Sequence, residues 1–146
     1  MNKKLNGLIN VKYPDAMTSP CPRCGNPAAL KFGQTNFRGK LRWFESVNCD
    51  NCGLRSEADG TGFPSEKLRS SLIEGDGEWS IVLTEVNSTA SVVAVLRSEL
   101  SLDMKAALEL LKTEPRLIFR GTRSESLWLG QLLEEAGESP SLQLIA

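Results

Sequence analysis

The chain contains no histidine. That removes every His-based triad, every His metal ligand and the commonest general base. Long apolar runs are missing as well. No stretch approaches the roughly 18 apolar residues of a membrane span. The opening Met1–Asn10 carries Lys3 and Lys4 but no apolar run of signal-peptide length. Strong net charge is a third absence. With 17 Lys and Arg against 18 Asp and Glu, the formal charge is −1, so no overall basic balance argues for nucleic acid. The halves differ, however. Residues 1–77 carry 11 basic and 8 acidic side chains (+3), and residues 78–146 carry 6 and 10 (−4). No internal repeat, low-complexity tract or suggestive pair of carboxylates stands out. These absences argue against an enzyme.

What is present is concentrated in two short stretches, Cys21-Pro22-Arg23-Cys24-Gly25 and Cys49-Asp50-Asn51-Cys52-Gly53. They hold all four cysteines, as two Cys-x-x-Cys pairs with 24 residues between them. A Cys-x-x-Cys turn points two sulfurs at one centre, and two such turns close a tetrahedron. Zn²⁺ accepts four thiolates at about 2.3 Å without distortion. Glycine after each pair lets the chain turn with positive φ, so that backbone N–H groups reach the sulfurs. Two plainer readings compete. A pair of disulfides fits an exported chain, and nothing here signals export. A thioredoxin-like redox pair needs one Cys-x-x-Cys at a helix start, not two. Four thiolates fill the coordination sphere, so the expected zinc is structural and no thiol nucleophile remains. Both pairs, with the hairpin between them, resemble the zinc-ribbon family over roughly residues 19–57. The resemblance implies a small metal-stapled β-sheet. Reduced zinc thiolates point to the cytosol.

Between the cysteine pairs, Ala28 to Phe32 reads as a strand and Gly33-Gln34-Thr35-Asn36 as a turn. A second strand follows, with Phe37, Leu41, Trp43 and Val47 alternating against Arg38, Lys40, Arg42 and Phe44. Leu54 to Glu57 makes a short third strand. Residues 16–44 hold five basic side chains (Arg23, Lys31, Arg38, Lys40, Arg42), no acid, and four aromatics, Phe32, Phe37, Trp43 and Phe44. Basic and stacking groups on one sheet face are how single strands are held, so Arg38, Lys40, Arg42 and Trp43 are the nucleic-acid candidates. The blander reading is a small ribbon burying its aromatics and solvating its Lys and Arg.

Before the first cysteine, residues 1–18 are mixed and polar, with a turn at Tyr13-Pro14-Asp15. Asp59 to Pro64 is a breaker cluster, and Ser65 caps a short helix to Glu74 with Leu68, Leu72 and Ile73 on one face and Gly75 as its stop. The second half is more regular. Trp79 to Val86 is a strand. Thr89 to Leu100 is a helix with Val92, Val95, Leu96 and Leu100 at helical spacing. Ser101 caps a second helix through Lys112, with Met104, Ala107, Leu108 and Leu111 inward. Arg116 to Arg120 is a strand after Pro115. Thr122 and Glu125 form a capping box, and the helix they open carries Leu129, Leu132 and Leu133 to Ala136, before Gly137. Leu142 to Ile145 closes the chain as a strand. The expected fold is α+β: an N-terminal arm and zinc ribbon (1–57), a connector with one helix (58–77), and a β-α-α-β-α-β domain (78–146). A three-stranded sheet with helices on one face would bury the three apolar stripes of that domain.

This second half resembles the C-terminal domain of the bacterial ribosomal stalk protein, which contacts translation GTPases. The resemblance rests on Val82-Leu83-Thr84, Arg97, Leu102-x-Met104-Lys105-x-Ala107, Pro115 and Leu133-Glu134-Glu135-Ala136-Gly137. In that family the first helix presents Lys and Arg to the GTPase. Arg97 and Lys105 match. Thr89 and Ala94 stand where the family has lysines, and Ser101 and Asp103 where it has glycines. The resemblance implies a protein-docking surface on the first two helices, around Val93, Ala94, Arg97 and Lys105. The expected partner is a protein: a translation factor, a larger machine, or a toxin-type effector capped by an immunity-type inhibitor. The alternative is a translation- or transcription-associated nucleic-acid binder acting through the ribbon hairpin.

Overall fold

The computed structural model describes residues 17–145. The expected turn at Tyr13-Pro14-Asp15, and all of the arm before residue 17, lie outside the described residues. The described chain is α+β, with two antiparallel sheets and four helices.

The first sheet holds β1 (Met17–Pro20), β2 (Pro27–Phe37), β3 (Lys40–Asn48) and β4 (Arg55–Thr61), side by side in chain order. β2 and β3 form a hairpin closed by Arg38 and Gly39, with Phe37 opposite Lys40. Both turn residues have positive φ, 52° and 77°. That is the two-residue hairpin loop whose twist matches the flanking strands. The turn expected at Gly33–Asn36 is therefore misplaced by about one turn length. Those residues are extended within β2 because Gln34 and Asn36 point inward to polar partners, and both are buried. β4 likewise continues through Asp59-Gly60-Thr61, where breakers were expected. Gly60 lies opposite Trp43, and a Cβ there would come within 2.7 Å of the indole, so glycine is what admits the ring. The expected connector thus begins inside β4.

Helix α1 (Glu66–Asp76) is capped by Ser65, whose hydroxyl accepts from the Leu68 N–H at 3.2 Å. It runs through Gly75 and stops at Gly77, φ 89°. Leu68 and Leu72 are buried against Phe32, with Leu30 and Trp43 alongside. This cluster lays α1 on the inner face of the first sheet.

The second sheet has β5 (Trp79–Leu83) between β6 (Arg116–Gly121) and β7 (Ser141–Leu144). Helices α2 (Thr89–Leu100), α3 (Met104–Leu110) and α4 (Arg123–Glu135) complete the expected order. Ile81 and Leu83 of the central strand, Val92 and Leu96 of α2, Ala107 of α3, and Leu129 and Leu133 of α4 share one core. Three details differ from expectation. Ser101 has φ 55° and ends α2, while Asp103 caps α3 by accepting from Ala106 N–H at 2.7 Å. α3 is short, and of its apolar residues only Ala107 is buried, while Met104 and Leu108 are exposed. The start of α2 is held from outside: the buried Glu138 carboxylate accepts from the Asn87 and Ser88 N–H groups at 2.8 and 3.0 Å.

The capping box of α4 forms as expected between Thr122 and Glu125. Its surroundings were not expected. α4 packs on β5 and also on β2 and β3. Glu125 is wholly buried and accepts from Arg69 Nε at 2.8 Å, Gln34 Nε2 at 2.9 Å and Thr122 N–H at 3.2 Å. Gln34 also accepts from Thr122 Oγ1 through its side chain and from Ser124 Oγ through its backbone. Trp128 Nε1 donates to the Gly39 carbonyl at 2.9 Å, and Asn36 Nδ2 to Gln131 Oε1 at 2.8 Å. A polar seam of named partners joins the two sheets.

Candidate metal centre and binding faces

The cysteine pairs sit in two near-identical turns at one end of the first sheet. Cys21 N–H donates to the Asn26 carbonyl at 2.7 Å, and Cys49 N–H to the Leu54 carbonyl at 2.9 Å. Gly25 and Gly53 donate back to the Cys21 and Cys49 carbonyls at 2.8 and 2.9 Å. Both glycines have φ near 80°, which a side chain would strain. Pro20 ends β1 just before Cys21, and Asn48 ends β3 just before Cys49, so strand pairing brings the two turns together.

The four sulfurs lie within 4.8 Å of one another and form no disulfide. Cys21 Sγ to Cys52 Sγ is 3.7 Å, and Cys24 Sγ to Cys49 Sγ is 3.6 Å. A regular tetrahedron with metal–sulfur bonds of about 2.3 Å has an edge of about 3.8 Å. The set is therefore sized to hold one metal ion. Cys21 and Cys49 are buried, and Cys24 and Cys52 are half-buried.

Donors surround the sulfurs. Arg23 N–H reaches Cys21 Sγ at 3.4 Å, and the Asn51 amide reaches Cys24 Sγ at 3.5 Å. The Asn26 N–H, followed by the Asn51 amide, draws the Cys24 thiol down to about 6. Burial pushes Cys21 up, but the Cys24 and Arg23 N–H groups outweigh it and its pKa falls. Cys52 moves the other way. The Leu54 N–H pulls it down, but burial and the three adjacent sulfurs lift it to about 11. Four sulfurs this close cannot all be thiolates unless a cation lies among them, which is the chemistry of a metal ligand set.

The hairpin candidates separate. Residues opposite one another across antiparallel strands share a face. Gln34 pairs with Trp43, so Trp43 points inward and packs with Phe32, Leu68 and Leu72. Thr35 pairs with Arg42 and Phe37 with Lys40, so the two cations point outward. Arg38 sits in the turn with its guanidinium 5.1 Å from the Phe37 ring centroid. Trp43 is therefore not part of the basic face, because its indole fills the space beside Gly60 and under α1. The aromatics that do share that face are Phe37 and Phe44, which differ from Trp43 in the parity of their positions relative to the turn.

The helix candidates also separate. Ala94, Arg97 and Lys105 are exposed. Val93 is 5% exposed and belongs to the core, so it is not available to a partner. Met104 and Leu108, read from the sequence as inward, take its place as exposed apolar groups near Lys105.

The residues of the polar seam had no local sequence signal beyond the capping box. Glu125 was legible as a cap, but Gln34 and Arg69 as its partners were not. Comparison with models of protein families, with curated proteins and with solved structures finds no match to this chain. Among the described residues no helix is long and apolar enough to cross a membrane.

Proposed function

We propose that this chain is a non-catalytic, zinc-stapled binding protein that docks on another protein. Zinc is the metal this ligand set favours: four sulfurs at tetrahedral spacing, no nitrogen or oxygen ligand, and no open position for water or substrate. Such a site is a clamp, and it leaves the chain no thiol for catalysis. A reducing compartment such as the cytosol suits it.

The observation that carries docking is the ridge on α3. Met104 is 48% exposed and Leu108 36% exposed, one helical turn apart. Apolar side chains at i and i+4 lie on one helix face, and here that face is turned to solvent. Lys105 lies on the same short helix, and α2, which packs against α3, presents Ala94 and Arg97. An apolar centre with cations near it is the make-up of a small protein interface. An adaptor and an immunity-type inhibitor would both use such a surface.

The test has two arms. Elemental analysis of purified protein should return one zinc per chain. Affinity capture with the tagged chain should recover a partner that Leu108→Asp and Met104→Asp variants, folded and zinc-loaded, no longer retain. Equal recovery with these variants would refute the α3 surface.

A further inference from the structure

The outward face of the first sheet combines what the sequence placed on it with what the register assigns. Lys31, Lys40, Arg42, Phe37 and Phe44 all stand on that face, and Arg38 lies at its turn. The opposite face is spent on packing: Phe32, Gln34, Asn36 and Leu41 are each 7% exposed or less. On the outward face Phe37 is 59% exposed, the most exposed large apolar side chain described. Phe44 is half-buried in mid-sheet, opposite Gly33 on one side and Asp59 on the other.

We propose that this face binds single-stranded nucleic acid, a function beyond the protein docking argued above and on a different surface. Charge complementarity selects the ligand. Arg55 adds a fifth cation to Lys31, Arg38, Lys40 and Arg42, against two acids, Glu57 and Asp59, both on the edge strand β4. The Arg42–Asp59 pair is 4.0 Å apart with both side chains largely exposed, too loose to neutralise Arg42. The aromatics select a single strand over a duplex. Every unpaired base offers a π-face to Phe, whereas a duplex presents only its phosphates to a flat sheet. Along the strands Phe37 lies level with Lys40, and Phe44 is four residues further, about 13 Å away. Two aromatic positions, with Lys40 beside the first and Arg42 between them, therefore line one track. Arg38 over the Phe37 ring puts a cation and a stacking surface in one place.

The experiment uses the zinc-loaded full chain and fluorescein-labelled 12-nucleotide poly-dT and poly-U, followed by anisotropy. Contacts to three or four phosphates predict that affinity falls about 20- to 50-fold between 50 and 200 mM salt. Phe37→Ala should weaken binding about tenfold, since one stacked base is lost. Lys40→Glu with Arg42→Glu should abolish it. All these side chains are exposed, so unchanged thermal melting should accompany each variant. The Leu108→Asp variant should bind the oligonucleotide as the wild type does, which separates this test from that of the docking surface. Four results would overturn the proposal: no binding at 50 mM salt; affinity for a duplex equal to that for the single strand; no effect of Phe37→Ala; or competition by polyglutamate as effective as by unlabelled oligonucleotide, which would mark a plain cation patch.

Discussion

At Glu125 a carboxylate with no solvent access meets three donors, one from β2, one from α1 and one from the cap of its own helix. Burying such a group is tolerable only when it is fully hydrogen-bonded. Removing it leaves the Arg69 guanidinium, 33% exposed, facing an emptied site. Glu125→Ala should therefore destabilise the fold by about 3–5 kcal/mol in urea denaturation. Glu125→Gln should cost less, because one carbonyl oxygen still accepts while the new amide group must face a donor. Gly121 belongs to the same site: a Cβ there would collide with the Glu125 carboxylate, Arg69 and Phe119. The four cysteines are the other place where a single atom decides the outcome. Cys49 is buried among three other sulfurs. Cys49→Ser should abolish zinc retention, read as loss of the metal from the purified chain by elemental analysis.

The elements differ in how far their sequence announces them. The second half was legible because its signals are local. Thr122 and Glu125 sit at capping-box spacing, and apolar residues recur at 3 and 4. Gln34 is the opposite case. Gly33-Gln34-Thr35-Asn36 has the composition of a turn, yet it is extended, because the partners that satisfy its buried side chains lie about 90 residues away in the chain. No local rule carries that information. The cysteine spacing was legible for a similar reason to the capping box, since both bring ligand atoms together over a few residues. α3 failed differently. Its period is helical, but a seven-residue helix has too few turns for spacing alone to say which apolar side is covered. The turn itself yields a prediction. Gly39 has φ 77°, and a Cβ there would meet only Leu132, at an ordinary 3.9 Å. Strain, not crowding, is then the whole cost of Gly39→Ala. It should be about 1–2 kcal/mol, seen as a lowered melting temperature with zinc binding intact.

At the scale of the whole molecule, β2 connects the two features that define the fold. It starts three residues after Cys24 and pairs with β1, which leads into Cys21, and with β3, which leads into Cys49. β4 likewise starts three residues after Cys52, so a metal ion at the sulfurs would clamp one end of all four strands. Further along β2, Gln34 and Asn36 hold α4. Among the described residues the first sheet has little apolar core of its own, only the Phe32–Leu68–Leu72 cluster and the packing around the sulfurs. Loss of the clamp should therefore loosen β2, and with it the Gln34 bonds to Glu125 and Thr122. Hydrogen exchange reads this directly. Chelation should raise exchange first in residues 17–31 and then at the start of α4, residues 122–128, while Ile81 and Leu83 in the central strand of the second sheet stay protected. In a Gln34→Ala variant the link is cut beforehand. Residues 122–128 should then exchange faster at the outset and respond little to chelator. Unchanged protection of residues 122–128 in the chelated wild type would mean that α4 is held by the second sheet alone, and that the two layers are stable independently of each other.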